Sequence, residues 1–358
     1  MKTRNIIFTI LTVVIVNSCS EKEVPAVIPE ETNKIEFSRV ETKGVSSIRD
    51  IERFGVWTVL ADAESSTPEY MSILTNEEVV REGLSAPYTW NYDDTQYWID
   101  DCHFYFLASF PYSQDGNGVG SFQESEITED GIKRTYYSLL VDTFDEDGNK
   151  NAGHDILTAV SYVNTSDDYD NVVNLTFTHL FTKVNIKITQ NIDPNTGDPL
   201  NDYYIKKVSL QGVYPNGYYF LIPDGNQIRS EWVIDTQQGK SFEKSFEPTK
   251  SLKEHKELSV WGDEAEGGLL LIPQAINEFK VKIRIEYDYL LTTDDAQDSI
   301  LIKDRYIEEY LPASTDLWQS NKQITYMLSI SEPSSIRFYP PKITPWDSPV
   351  TGSSIIIK

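Results

Sequence analysis

The sequence is short of the residues that carry most enzyme and metal chemistry, with 2 cysteines and 4 histidines in 358 residues. So few cysteines cannot make a disulfide framework, so any fold must rest on apolar cores. His103, His154, His179 and His255 show no ligand spacing, and neither a His-Glu-x-x-His helix nor a Gly-x-Ser-x-Gly elbow occurs. Gly239-Lys240-Ser241 ends like a phosphate-binding loop, but the glycine needed five positions earlier is Ile234. A calcium-type loop around Asp145-Glu146-Asp147-Gly148-Asn149 fails similarly, with Thr143 and His154 at its first and twelfth positions. The expectation is a non-enzymatic protein without metal or cofactor. Basic residues are also scarce: 31 Lys and Arg stand against 56 Asp and Glu, a formal charge of −25. That deficit excludes a nucleic-acid partner, whose phosphates call for Lys and Arg, and disfavours anionic lipid.

Long apolar runs are missing except over 6–16, where only Thr9 and Thr12 interrupt, behind Lys2 and Arg4. A membrane-spanning helix takes about 20 residues, so this run is too short to span. A basic start, a short apolar stretch and a small residue before a cut are the parts of a secretory signal. Val16-Asn17-Ser18-Cys19 sets a cysteine directly after the cut, as lipoprotein signals do. Residues 1–18 are therefore expected to be removed and Cys19 to be the lipidated first residue. The alternative is an ordinary signal in which Cys19 is incidental. Residues 19–34 are polar, carry Pro25 and Pro29, and are expected to form a flexible tether. Once Cys19 is acylated only Cys102 remains, inside the apolar Cys102–Leu107 stretch, where it reads as a small buried hydrophobe.

Helical periodicity is nearly absent; only 76–82 reads as one short helix. What is abundant is alternation. Val184-Asn185-Ile186-Lys187-Ile188 and Val281-Lys282-Ile283-Arg284-Ile285-Glu286-Tyr287 put apolar and polar groups on opposite faces of a strand. Further strands are expected over 54–60, 103–110, 136–141, 156–163, 173–177, 205–210, 218–222, 269–272, 301–307 and 324–330. Turn chemistry separates them, as at Pro215-Asn216-Gly217 and Asp115-Gly116-Asn117-Gly118. Many short strands with polar turns make an all-β fold of antiparallel sandwiches. The acidic bridge at 165–171 suggests a boundary there, giving domains 35–170 and 171–358. Aromatics are 12% of the chain; Trp and Tyr can stack on sugars, but the same residues pack sandwich cores.

Several segments, in order, resemble the fimbrillin family of Bacteroidetes, the Mfa-like and FimA-like pilus subunit lipoproteins. They are Ile35-Glu36-Phe37 with Thr42-Lys43-Gly44; Tyr88-Thr89-Trp90-Asn91-Tyr92 leading to Tyr97-Trp98 and Phe104–Pro111; Asp155–Ala159 with Leu175–Val184; Leu270–Gln274; and Asn321–Tyr326 with Ile343-Thr344-Pro345-Trp346. The acidic stretch after Cys19 similarly resembles the surface-export signal of such lipoproteins. The resemblance implies two tandem transthyretin-like β-sandwich domains and an outer-membrane, cell-surface location. It also implies assembly with other fimbrial subunits, and a host or bacterial surface receptor for adhesion. The implied mechanism is donor-strand exchange: a protease removes the lipidated N-terminal segment, and a neighbour's strand fills the groove. On that reading Ile35, Phe37 and Val40 are the inward residues of the removable strand, and Arg39, Lys43 and Arg49 are the candidate cut sites. Val350, Ile355, Ile356 and Ile357, within 350–357, form the candidate donor strand; the alternative is that this tail is simply the last paired strand. The competing functional reading is a monomeric surface glycan-binding lipoprotein.

Overall fold

In a computed structural model the described residues are 33–42, 51–65, 69–83, 88–114, 120–129, 132–143, 155–167, 169, 172–192, 195, 201–262, 267–276, 280–292, 299–332 and 335–346. The first strands are β1 (Glu36–Thr42), β2 (Arg53–Asp62), β3 (Met71–Glu82), β4 (Thr89–Asn91), β5 (Cys102–Phe110), β6 (Gln123–Glu129), β7 (Ile132–Asp142), β8 (Leu157–Asn164) and β9 (Val172–His179). There follow β10 (Thr182–Gln190), β11 (Asp202–Val213), β12 (Asn216–Asp224), β13 (Gln227–Ile234), β14 (Lys240–Ser251), α1 (Leu252–His255) and β15 (Glu257–Ser259). The last are β16 (Leu269–Leu271), β17 (Gln274–Ile276), β18 (Lys282–Thr292), β19 (Ser299–Tyr310), β20 (Ser314–Trp318), β21 (Lys322–Glu332), β22 (Ser335–Phe338) and β23 (Lys342–Pro345). The protein is all-β, as its alternation predicts.

Three apolar cores organise these strands. A seven-stranded sheet runs β1-β9-β8-β5-β2-β3-β4. One face buries Ile35, Phe37, Phe54, Trp90, Phe104, Phe106 and Phe177. The other face, with Trp57, Val59, Tyr105 and Leu107, packs on the sheet β13-β12-β7-β6. The third core lies between the sheet containing β10 and β21 and the sheet β14-β11-β18-β19. It holds Val184, Ile186 and Ile188 of β10 together with Ile283, Ile285 and Tyr287 of β18, the two runs whose alternation is cleanest.

Three features go beyond the expectations. First, β1–β9 and β10–β21 are parallel pairs within a largely antiparallel fold. Second, residues 76–82 are strand, not helix, and the expectation of a helix is corrected. Asn76 takes φ 52, which interrupts any helical turn, and β3 pairs with β2 on one edge and β4 on the other. Val79 is buried while Val80 is 38% exposed, the alternation of a strand that a short window of Glu, Val and Arg conceals. Third, β12 pairs with β7 from Asn216↔Asp142 to Leu221↔Tyr137, so one sheet takes strands from both sides of position 170. The Tyr105 hydroxyl donates to the Gly225 carbonyl at the tip of the β12–β13 turn. The boundary position itself falls just ahead of β9, which lies beside β8 in the seven-stranded sheet.

On the outer face of β18 and β19, Arg284 Nη1 lies 2.9 Å from Glu308 Oε1, and Lys282 Nζ lies 3.3 Å from Glu308 Oε2. The Arg284 hydrogen bond holds the Glu308 carboxyl below its usual range. A lowered carboxyl contributes stability above its unfolded pKa and loses it as pH falls through the folded value. Because the pair is solvated, Glu308→Gln is expected to cost under about 1 kcal/mol near neutral pH. It should cost nothing in acid; urea unfolding at the two pH values checks this.

Candidate functional site

The first strand is buried like a core element yet held like an edge element. Ile35, Phe37 and Val40 are exposed by 0%, 1% and 3%. The Phe37 ring lies 5.4 Å from Tyr92, 6.0 Å from Phe106 and 6.4 Å from Phe54, each edge to face, the favoured arrangement of aromatic pairs. The inward spacing is two residues and then three. A register irregularity between Glu36 and Arg39 resets the alternation and so brings Val40 inward.

Among the described residues the backbone of β1 pairs with β9 alone, through Glu36↔Val172, Arg39↔Asn174, Val40↔Leu175, Glu41↔Thr176 and Thr42↔Phe177. Its other edge faces β4 across a crevice of about 100 Å³ lined by residues 34–37 and 89–92. Contacts across that seam sit at its beginning: Ile35 N–H donates to Gln96 O at 3.0 Å, and Trp98 N–H donates to Asn33 O at 3.1 Å. The Tyr92 hydroxyl donates to Ile35 O at 2.9 Å. Burial pushes the Tyr92 phenol up to about 12, so it stays a donor throughout the physiological range. Tyr92 is the site residue that strand alternation does not reveal; its trace in the sequence is the Trp-x-Tyr run at 90–92. Without β1, the rings of Phe54, Tyr92 and Phe106 would line an open groove beside the unpaired edge of β9. Such a groove does no bond chemistry; it templates an extended segment.

The other predicted positions divide plainly. Ile35, Phe37 and Val40 come together in one buried core. Arg39 lies within β1, its backbone in register with Asn174. Cys19, Lys43, Arg49, Val350, Ile355, Ile356 and Ile357 lie outside the described residues. Cys102 is fully buried at the start of β5. His179, expected just past a strand, is the last residue of β9; its Nδ1 lies 2.5 Å from Asp155 Oδ2 and its ring stacks on Trp346 at 3.9 Å. Such packing gives it a structural part.

The family model described as fimbrillin-like matches residues 38–346, most of the chain and nearly all of the fold just described. This chain belongs to the fimbrillin-like family. No curated protein matches it. Among solved structures, a fimbrial protein from Bacteroides vulgatus is 16% identical, with 88% of this chain and 99% of that one covered at a TM-score of 0.59. A candidate cell adhesion protein from Parabacteroides distasonis is 9% identical over 88% and 99% of the two chains, at a TM-score of 0.48. Another, from Bacteroides uniformis, is 13% identical over 89% and 100%, at 0.41. At 16% identity the Bacteroides vulgatus structure is evidence of a shared fold. Membership makes the chain a protein of a fimbrial, cell-surface family and points to a structural rather than a catalytic part.

Proposed function

We propose that this chain is a fimbrial subunit or accessory component that serves adhesion, and that it assembles by exchanging β1 for a strand of a neighbouring subunit after proteolysis. The observation that carries the reading is the contradiction in β1. Its three inward side chains are as buried as any in the core, while its backbone is laddered along one edge only. Burying Ile, Phe and Val contributes roughly 5–9 kcal/mol before ordering costs. A strand of similar content from another subunit recovers that term, and β9 offers it a ready edge.

The position of Arg39 bears on the choice of cut site. A protease must draw its substrate out as a free extended segment, and Arg39 sits inside the β1–β9 ladder. Lys43 and Arg49 lie outside the described residues; as the basic positions that follow β1 in sequence, they are the cut sites we propose. On this reading Cys19 is a lipid tether at the outer membrane, shed with β1 when the subunit is activated, and 350–357 supplies the incoming strand. Two transthyretin-like domains remain the architecture we propose for the family fold in this chain, with β9, β12 and β13 joining the sheets of the first half.

Low-dose trypsin on the full mature protein tests the scheme. The expected result is one early cut at Lys43 or Arg49, identified by N-terminal sequencing, followed by oligomers whose size grows with concentration. A protein that is cut there and stays monomeric at every concentration contradicts strand exchange.

A further inference from the structure

The sheet β13-β12-β7-β6 buries one face in the core and carries a run of apolar groups on the other. Strand alternation assigns the faces. Tyr137, Leu139 and Val141 of β7 and Leu221 of β12 are buried in the core shared with the seven-stranded sheet. The intervening residues therefore stand on the outer face, where a solvated sheet ordinarily carries polar groups. Here an apolar row crosses three strands, because Tyr218 is in register with Val233 on one side and with Leu140 on the other. Tyr218, Val233 and Leu140 are exposed by 46%, 50% and 59%. Beside that row the Phe220 ring lies 6.0 Å from Tyr218 and 5.7 Å from Tyr136. Ile222, half-buried, extends the strip along β12.

The pattern of this face indicates what covers it. Along β7 the outward positions are Arg134, Tyr136, Ser138, Leu140 and Asp142, a basic end, an apolar middle and an acidic end. Ser138 is in register with Phe220. A second copy turned about a two-fold axis that crosses the strands at Ser138 and Phe220 lays the face on itself. Leu140 then meets Tyr136 of the other copy, Tyr218 meets Ile222, and Phe220 meets Phe220. Asp142, which is exposed, meets Arg134 once at each end of the contact. Arg134 sits half-buried at the rim, where its charge also reaches Tyr70, and Arg229 at the same end is held by Asp224 at 3.3 Å. Packed sheets stand about 10 Å apart, a gap that facing Asp and Arg side chains span. One surface thus supplies both sides of every match, as an isologous contact requires. The β13 margin fits less well, because Glu231 is in register with Phe220 and would lie near its own copy. Contact is therefore centred on β7 and β12.

Area sets the strength. Three strands about 4.8 Å apart, each contributing some nine residues of about 3.4 Å, cover roughly 400–450 Å² per copy. Two copies together bury roughly 900 Å², below the 1,200 Å² or so at which stable complexes begin. The formal charge of −25 on each chain opposes association further. We propose that the outer face of β7 and β12 pairs with the same face of a second copy of this chain, in a weak and reversible contact. Exposed apolar patches of this kind commonly mark contact surfaces. Where the chain is carried in a fibre, many such contacts side by side act together and join fibres laterally.

Sedimentation equilibrium of the uncut mature chain, made without lipid, tests the proposal with β1 still in place. The expected result is a reversible monomer–dimer equilibrium with a dissociation constant on the order of 0.1–1 mM, as a small interface gives. Leu140→Asp, at a solvent-exposed position, should weaken the dimer about tenfold or more and melt like the parent. Asp142→Arg should weaken it by setting like charges together at both ends. Asp142→Arg combined with Arg134→Asp exchanges the two ends and should restore it. A chain that stays monomeric up to about 1 mM, a dimer indifferent to Leu140→Asp, or a double exchange that recovers nothing overturns the proposal. None of these outcomes bears on strand exchange, which is read after cleavage by oligomers that keep growing rather than stop at two.

Discussion

Phe37→Ala is expected to lower the unfolding free energy of the intact chain by about 3–5 kcal/mol, the usual cost of emptying a buried phenylalanine site. The site cannot collapse cheaply. The Phe37 ring meets three others edge to face, from Phe54 on β2, Phe106 on β5 and Tyr92 just past β4, and those elements are fixed by their own ladders. Urea unfolding measures the loss. The same substitution has a second, sharper consequence under strand exchange. Once β1 has been cut and replaced, Phe37 is no longer part of the subunit, so parent and variant oligomers should unfold alike. A loss under about 1 kcal/mol in the intact chain would mean that β1 does not seal the core. Unequal oligomers would mean that β1 stays in place after cleavage.

The second large effect is expected at Gly212, near the end of β11. The residue takes φ +81 at a point where the β11–β14 register slips between Gln211 and Val213. A β-carbon there would collide with the Lys280 carbonyl oxygen, a backbone atom that cannot turn aside. Gly212→Ala therefore combines a left-handed backbone with a clash against main chain, and a loss on the order of 3 kcal/mol is expected. Gly225 supplies the comparison. It takes φ +60 at the β12–β13 turn with open space where its β-carbon would be, so Gly225→Ala should cost only about 1–2 kcal/mol. Thermal melting of the two variants side by side separates the collision from the conformational cost. Equal losses would show that the Lys280 backbone yields.

Which strands were legible follows from which strands are half buried. β18 alternates because one face meets core and the other is half-buried, and both β10 and β18 appear where the alternation of their sequences predicts them, although in β10 the polar Lys183 and Asn185 are buried as well. β6 and β14, with Gln123-Glu124-Ser125-Glu126-Ile127-Thr128-Glu129 and Lys240-Ser241-Phe242-Glu243-Lys244-Ser245-Phe246, escaped notice. They are edge strands, rich in charge and with few buried positions, and charged edges discourage pairing with foreign chains. The helix expected over 76–82 arose the same way, from a polar strand with few buried positions.

The candidate site was legible in parts. Ile35 and Phe37 stand in a family-like motif, Val40 between its two parts, and all three are buried. Tyr92, which closes the far side of the groove, carries no local sign of its distance of 2.9 Å from the Ile35 carbonyl.

The sequence alone determined the local matters: an all-β chain, the inward and outward faces of strands such as β18, and an acidic surface. These depend on side-chain order along a few residues, since a strand's two faces repeat every second position. Only the tertiary structure decided that β1 runs parallel to β9 with a single laddered edge, that β12 and β13 return to the sheet of β7, and that β8 and β9 part company. The first two are pairings between segments far apart in sequence. They are settled by loop closure and by competition among many similar apolar strands, and no short stretch of sequence records the outcome.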